Sequence, residues 1–222
     1  MNDSTTPLVG IFADDLTGAL DAAAPFAARG FRTIVSTTSE LPDGAENADV
    51  VSINLGTRHM AAADISERVS GAIGALATLD LKILLNKVDS TMRGNPGVEL
   101  LAALNALSSD HAIFCPAYPQ NNRTVEDGVL LLFGVPVAET DVGQDPLSPL
   151  SSNNVEEILV SSLTRAGVED EVHVVAGSGG KAVADLLPVI NCSPDHKRWT
   201  APIQARHQQG LSRERVRAPL LR

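Results

Sequence analysis

The residues able to do chemistry gather in four short clusters. Asp14-Asp15 follows the apolar run 8–13, and Gly56-Thr57-Arg58 follows the run 49–55. Lys87-Val88-Asp89-Ser90-Thr91-Met92-Arg93-Gly94-Asn95 closes and follows the run 82–88. Pro116-Ala117-Tyr118-Pro119 and Asn121-Asn122-Arg123 follow the run 112–115. Each of these runs reads as a buried strand. In open α/β sheets, ligands bind beyond the carboxyl ends of the strands. Carboxylates, cations and hydroxyls thus converge on the expected binding edge. Ordinary loop polarity accounts for any one of these residues. It accounts less well for both charge signs at four strand ends.

Sharper motifs are incomplete. Asn86-Lys87-Val88-Asp89 matches the guanine-reading NKxD of GTPases, and Asp15-Leu16-Thr17-Gly18 matches their DxxG. The GxxxxGK[ST] loop that must accompany them is absent, and the one Gly-Lys pair, Gly180-Lys181, comes late and is followed by Ala182. Gly177-Ser178-Gly179-Gly180 could cradle a phosphate at a helix start, but a plain strand-to-helix turn is the commoner use of such a run. His59, His111, His173, His196 and His207 show no metal-ligand spacing. There is no GxSxG elbow. Cys115 and Cys192 have no partner spacing, and Cys115, inside the apolar run 112–116, reads as a buried thiol in a reducing compartment.

The elements that must position these clusters alternate. Residues 8–13, 32–36, 49–55, 82–88 and 112–115 read as strands. Residues 16–29 are Ala-rich and helix-like, with Pro25 a point of kink or break and Gly30 a stop. Residues 61–79 repeat apolar side chains at helical spacing: Ile65, Val69, Ile73 and Leu76. Asn95-Pro96 opens a third helix with a cap and a first-turn proline. Residues 129–133 and 135–139, around Gly134, read as a hairpin. Asn154 caps a helix whose first turn is acidic. Residues 172–175 and 181–187 read as a sixth strand and a last helix. The fold class expected is α/β: a mainly parallel sheet flanked by helices on both faces, with a hairpin insertion after strand five.

The chain has 222 residues with a formal net charge of −10. Residues 191–222 carry seven Lys+Arg against two Asp+Glu, net +5, and residues 1–190 carry −15. An acidic body argues against nucleic acid as a partner. The basic tail lacks apolar period and reads as a disordered or non-native end, separate from a domain spanning 1–190. No run approaches a membrane span, and the N-terminus lacks a signal-peptide pattern. A soluble cytoplasmic protein with no membrane partner is expected.

Phe12-Ala13-Asp14-Asp15-Leu16-Thr17-Gly18-Ala19 resembles the start of the four-carbon acid sugar kinases, which act on threonate, erythronate and 3-oxo-tetronate. Lys87-Val88-Asp89-Ser90-Thr91-Met92-Arg93-Gly94-Asn95 is similar to that family's K-x-D-S-T-x-R-G-N. A third match runs from Pro116-Ala117-Tyr118-Pro119 through Asn122-Arg123-Thr124, Asp127-Gly128 and Gly134-Val135-Pro136-Val137. It continues through Glu139-Thr140 to Asp145-Pro146-Leu147-Ser148-Pro149. The three motifs stand in family order over about residues 7–170. The resemblance implies an N-terminal substrate-binding domain. In the family a second domain, C-terminal to it, carries the site for ATP and Mg2+. The sequence departs at Asn122, where a glycine is usual. Past about residue 175 the resemblance fades, and a second domain is absent from the sequence. The simplest account is a frameshift or an early end. No cofactor is then expected to bind this chain alone, and a separate nucleotide-binding domain becomes a possible partner.

The resemblance also implies roles. A four-carbon sugar acid offers one carboxylate, for which Arg58, Lys87, Arg93 and Arg123 are the candidate donors. Its hydroxyls want acceptors, which Asp14, Asp15, Asp89 and Ser90 supply. Neighbouring strand residues face opposite ways, so one of Asp14 and Asp15 faces the ligand while the other caps the next helix. The candidate base is Asp15 or Asp89. A non-catalytic sugar-acid-binding module and an inert gene fragment are the alternatives.

Overall fold

The structure, a computed structural model, describes residues 8–109 and 112–168. The expected sixth strand, last helix and basic tail lie outside the described residues, as does the 177–180 loop.

Four parallel strands form the main sheet in the order β2-β3-β1-β4. They are β1 (Leu8–Ala13), β2 (Thr33–Ser36), β3 (Val50–Asn54) and β4 (Leu81–Lys87). Central β1 is level with both neighbours at its carboxyl end, where Ala13 lies opposite Asn54 and Lys87. That register sets the loops after β1, β3 and β4 side by side.

The helices cover both faces. From β1 the chain travels through α1 (Leu16–Ala27) to β2; from β3 it travels the other way through α2 (Ala62–Leu76) to β4. Right-handed crossovers in opposite directions place these helices on opposite faces. The strand alternation agrees. Val9 and Ile11 pack with Val50, Ala22 and Phe26 on one side. Phe12, Val51 and Ile53 pack with Ile65, Val69, Ile73 and Leu76 of α2 on the other. The expected periodicity of α2 is thus its buried stripe. α1 runs on through Pro25 to Ala27, and Gly30 takes a left-handed conformation (φ 87°) just beyond it.

α3 (Pro96–Ala106) is buried along its whole first two turns because it is shared between two cores. Val98, Leu101 and Ala102 join the sheet core. Leu100 and Leu104 join a second core with Met92, Ile113, Phe114, Leu130, Val137 and three residues of α4 (Val155–Arg165). As expected, Asn154 caps α4, accepting from the amides of Glu156 and Glu157. The hairpin is larger than expected: β5 (Arg123–Glu126), β6 (Val129–Leu132) and β7 (Val135–Pro136) form an antiparallel meander.

Two expectations are corrected. Residues 112–115 form no strand. Ile113 and Phe114 are consecutive and both buried in the second core, which the alternating faces of a half-buried strand would not allow. Asn95 does not cap α3 with its side chain; it donates instead to the backbone carbonyls of Arg58 and Met60.

The contact between α3 and α4 is close enough to require glycine. A Cβ on Gly97 would lie within van der Waals overlap of the Leu159 carbonyl and the Ser162 hydroxyl. That hydroxyl already accepts from the Gly97 amide at 2.8 Å. Gly97→Ala is therefore expected to destabilise the fold by about 1–3 kcal/mol, as overpacking does. Gly71→Ala, in α2 with open space around it, should stabilise by about 0.5–1 kcal/mol. Thermal melts of both variants check the pair of signs.

Candidate functional site

The loop after β1 begins with two carboxylates that share one guanidinium. Arg58 Nε donates to Asp14 Oδ2 at 2.7 Å, and Arg58 Nη1 donates to Asp15 Oδ2 at 2.6 Å. The side chains are 14% exposed for Arg58, 4% for Asp14 and 26% for Asp15. Asp15 also caps α1, accepting from the Gly18 amide at 2.7 Å. The expected division between the two aspartates is therefore partial: Asp15 caps, yet both hold Arg58.

Burial works against every charge here. It pushes the Asp14 carboxyl above its ordinary value, although both contacts with Arg58 oppose the rise. Arg58 is held above its ordinary value: desolvation lowers it, but Asp14, Asp89 and Asp15 more than compensate. Asp14 Oδ1 is buried with no hydrogen-bond partner among the described residues.

The loop after β4 builds the second ion pair. Arg93 Nε donates to Asp89 Oδ2 at 2.7 Å and to the Thr91 hydroxyl at 3.1 Å. Arg93 Nη1 reaches Asp145 Oδ2 at 3.3 Å. Thr91 donates its hydroxyl to Asp89 Oδ2 at 2.7 Å, and its amide to Asp89 Oδ1 at 3.3 Å. Burial raises the Asp89 carboxyl, but the hydrogen bond from Arg93 and the charge of Arg58 outweigh it, and Asp89 titrates below its ordinary value. Met92 anchors this turn. It is fully buried in the second core with a left-handed backbone (φ 59°), a conformation that costs energy and needs its surroundings to hold it.

The two loops are pressed together. Gly94 is left-handed (φ 85°), and a Cβ there would meet the Arg58 carbonyl at 2.9 Å. The Asn95 amide bonds add a second tie. Behind them, Thr57 donates its hydroxyl to Glu99 Oε1 at 2.5 Å. Glu99 is fully buried, and desolvation and then the charge of Asp14 push its carboxyl up to about 8. It therefore holds a proton at neutral pH.

Among the expected site residues, Asp14, Asp15, Arg58, Asp89 and Arg93 come together as one electrostatic cluster. Lys87 ends β4 beside them: its Cγ lies 3.5 Å from the Cβ position of Gly18, and its ammonium donates to the Val88 carbonyl at 2.6 Å. Ser90 is half-buried in the same turn. Arg123 stands apart at the start of β5; no hydrogen bond or ion pair joins it to the cluster, and its Nε is buried without a partner among the described residues. Asn122 before it is left-handed (φ 53°), which asparagine tolerates, so the turn expected to change at this departure is accommodated. Thr57, Thr91, Glu99 and Asp145 belong to the site and were not singled out. A lone acid in the apolar helical run 96–104 was the available signal for Glu99.

Chemically, the arrangement presents two guanidinium groups pinned on one edge, each with its Nη2 free of protein partners among the described residues. Four carboxylates hold them: Asp14 and Asp15 on Arg58, Asp89 and Asp145 on Arg93. Such forks suit a ligand carboxylate, and the remaining carboxylate oxygens suit hydroxyls.

The family model of the sugar-binding N-terminal domain matches residues 9–188. A D-threonate kinase of Bordetella bronchiseptica is 38% identical over 158 residues, which is 69% of this chain and 39% of that protein. A 3-oxo-tetronate kinase of Brucella melitensis is 32% identical over 187 residues, 81% of this chain and 42% of that protein. A crystal structure of a domain of unknown function from Bordetella bronchiseptica, a domain-swapped dimer with bound citrate, superposes with a TM-score of 0.68. It is 33% identical and covers 83% of this chain and 44% of that one. The chain spans about two-fifths of the length of the curated relatives it matches.

The buried Glu99 gives a pH signature. Its folded carboxyl titrates near 8 against an ordinary 4.5. The folded state thus keeps a proton that the unfolded state loses, so stability falls as pH rises from 4.5 to 8 and levels off above. The slope from this one group approaches about 1 kcal/mol per pH unit. Glu99→Gln mimics the protonated form. It should match the parent near pH 5 and exceed it increasingly toward pH 8.5. Denaturant midpoints across that range check this; parallel curves for the two proteins would contradict it.

Proposed function

The chain belongs to the sugar-binding N-terminal domain family, and from that membership we propose that it is the substrate-binding domain of an ATP-dependent kinase for a four-carbon acid sugar. The threonate and 3-oxo-tetronate names of its relatives support the substrate class. The observation that carries the reading is the pair of pinned guanidinium groups, Arg58 and Arg93, at the level carboxyl ends of β1, β3 and β4. In this reading the domain spans residues 1–190, with 191–222 a separate basic tail, in a cytoplasmic protein.

In this reading each residue of the cluster has a role. Arg93 receives the substrate carboxylate through its free Nη2, aided by Arg58 and the Lys87 ammonium. Fixing each guanidinium beforehand removes the entropy cost of ordering it on binding. Substrate hydroxyls meet Asp15, Asp89 and Ser90, and Asp14 acts mainly by holding Arg58. Of the two candidate bases, Asp15 suits the role better. Asp89 accepts from Thr91 and Arg93 and is held below its ordinary pKa, which makes it a weak proton acceptor. Asp15 is more exposed, and each of its oxygens takes one donor. Arg123 lies outside the cluster and is a candidate for the far end of the substrate.

The described residues do not fit a Mg2+–nucleotide site. Asp14, Asp15 and Asp89 are each tied to an arginine, and no three His, Cys, Asp or Glu side chains among the described residues form a cation cage. In the proposed reading the nucleotide comes from a second domain, and this chain alone does not turn over.

Two outcomes test this. Arg93→Ala should weaken tetronate binding by about 2–5 kcal/mol, to below detection for a weak ligand, and Arg93→Lys should restore only part. A neutral four-carbon polyol should bind weakly to the parent and both variants. Titration calorimetry on variants that still melt cooperatively checks this; equal tetronate affinity in parent and Arg93→Ala would leave Arg93 a structural ion-pair residue. Calorimetry of the parent with Mg-ATP should show no specific heat, and a micromolar site would overturn the division between domains.

A further inference from the structure

A cavity opens beside the Gly94 turn, between the loop after β3, residues 147–151 and α4. It measures about 260 Å³. Arg58, His59, Gly94 and Asn95 form one wall; Ser148 and Ser151 form another, and Ser161 and Arg165 of α4 the third. Its lining contains two arginines and a histidine and not one acid. That is unusual in a body of net charge −15. A cavity of one charge sign focuses the field on a small counter-ion.

Arg165 is the informative residue. Its Nη2 donates to the Gly94 carbonyl at 3.2 Å, which turns the guanidinium toward the cavity. It has no carboxylate partner among the described residues; Glu156 and Glu157 stand at the opposite end of α4, two turns out of its reach. The opposite wall is tied together, with Ser148 Oγ 3.3 Å from His59 Nδ1. Hydroxyls and an uncompensated guanidinium around an open volume are the donor set for an oxyanion. We propose that this cavity is a binding site for a small oxyanion, a carboxylate or a phosphate group, held by Arg165 with His59 and Ser148. The cavity shares Arg58 with the aspartate cluster, but Arg93 does not line it, and the proposal does not depend on the kinase reading.

The test is an amide-resolved NMR titration of the full chain, with inorganic phosphate in one arm and acetate in the other. Phosphate should shift the amides of Gly94, Ser148 and Ser161 saturably, at concentrations up to about 50 mM. A larger response to phosphate marks a phosphate site; a response to both marks a general oxyanion site. Arg165→Ala should weaken binding roughly tenfold or more, and Arg165→Glu should remove it. Arg165→Lys should keep part of it. Arg165 is exposed at the end of α4, and an unchanged melt confirms each fold. The proposal is overturned if neither anion moves these amides, or if Arg165→Glu responds like the parent. Failure of tetronate to bind at Arg93 would leave this result untouched.

Discussion

One guanidinium between two consecutive carboxylates holds the binding edge together. Arg58 follows β3, and Asp14 and Asp15 follow β1. Their two charge-assisted bonds, both under 3 Å, fix the end of one strand to the end of its neighbour. The other loops then key on Arg58. Gly94 fits against its carbonyl only because it lacks a Cβ, and Asn95 donates to the same carbonyl. Thr57, its neighbour, holds Glu99 on α3. Removing Arg58 would leave the buried Asp14 carboxylate, and the partly exposed Asp15 beside it, without a cation, a loss of about 3–5 kcal/mol in comparable buried pairs.

Such a buried network is a poor source of stability, since desolvation offsets much of its attraction. What it provides is geometry. Arg93 is oriented through two of its nitrogens, Nε by Asp89 and Thr91 and Nη1 by Asp145. A flexible arginine would lose rotamer freedom on meeting a ligand; these two have lost it on folding. The cost falls elsewhere, in the left-handed Met92 and in Glu99, which stays protonated in the core. Both are buried beside the Arg58 and Arg93 loops.

Much of this was legible in the sequence. Alternating apolar runs and helical stripes give the parallel sheet, and the rule that ligands meet strand carboxyl ends points to Asp14, Asp15, Arg58, Lys87, Asp89, Ser90 and Arg93, which lie together, and equally to Arg123, which stands apart. Ile65, Val69, Ile73 and Leu76 fall on the buried face that their spacing implies. The segment 112–115 misled because a short apolar run looks alike in a strand and in a packed coil. Asn95 misled because its side chain had a stronger long-range use than capping its own helix. Thr57 and Glu99 could not be paired from sequence, since they are 42 residues apart and meet only through the packing of α3 on the sheet. Asp145 was similarly hidden, 52 residues from Arg93.

The account rests on the claim that a sugar-acid carboxylate meets the two pinned guanidinium groups at the strand ends. A crystal structure of the chain soaked with D-threonate tests it most directly. The carboxylate should lie within hydrogen-bond distance of the Arg93 or Arg58 guanidinium, with hydroxyls toward Asp15 or Asp89. A threonate bound away from both arginines, for instance in the groove beside Glu40, Glu67 and Arg68, would contradict it.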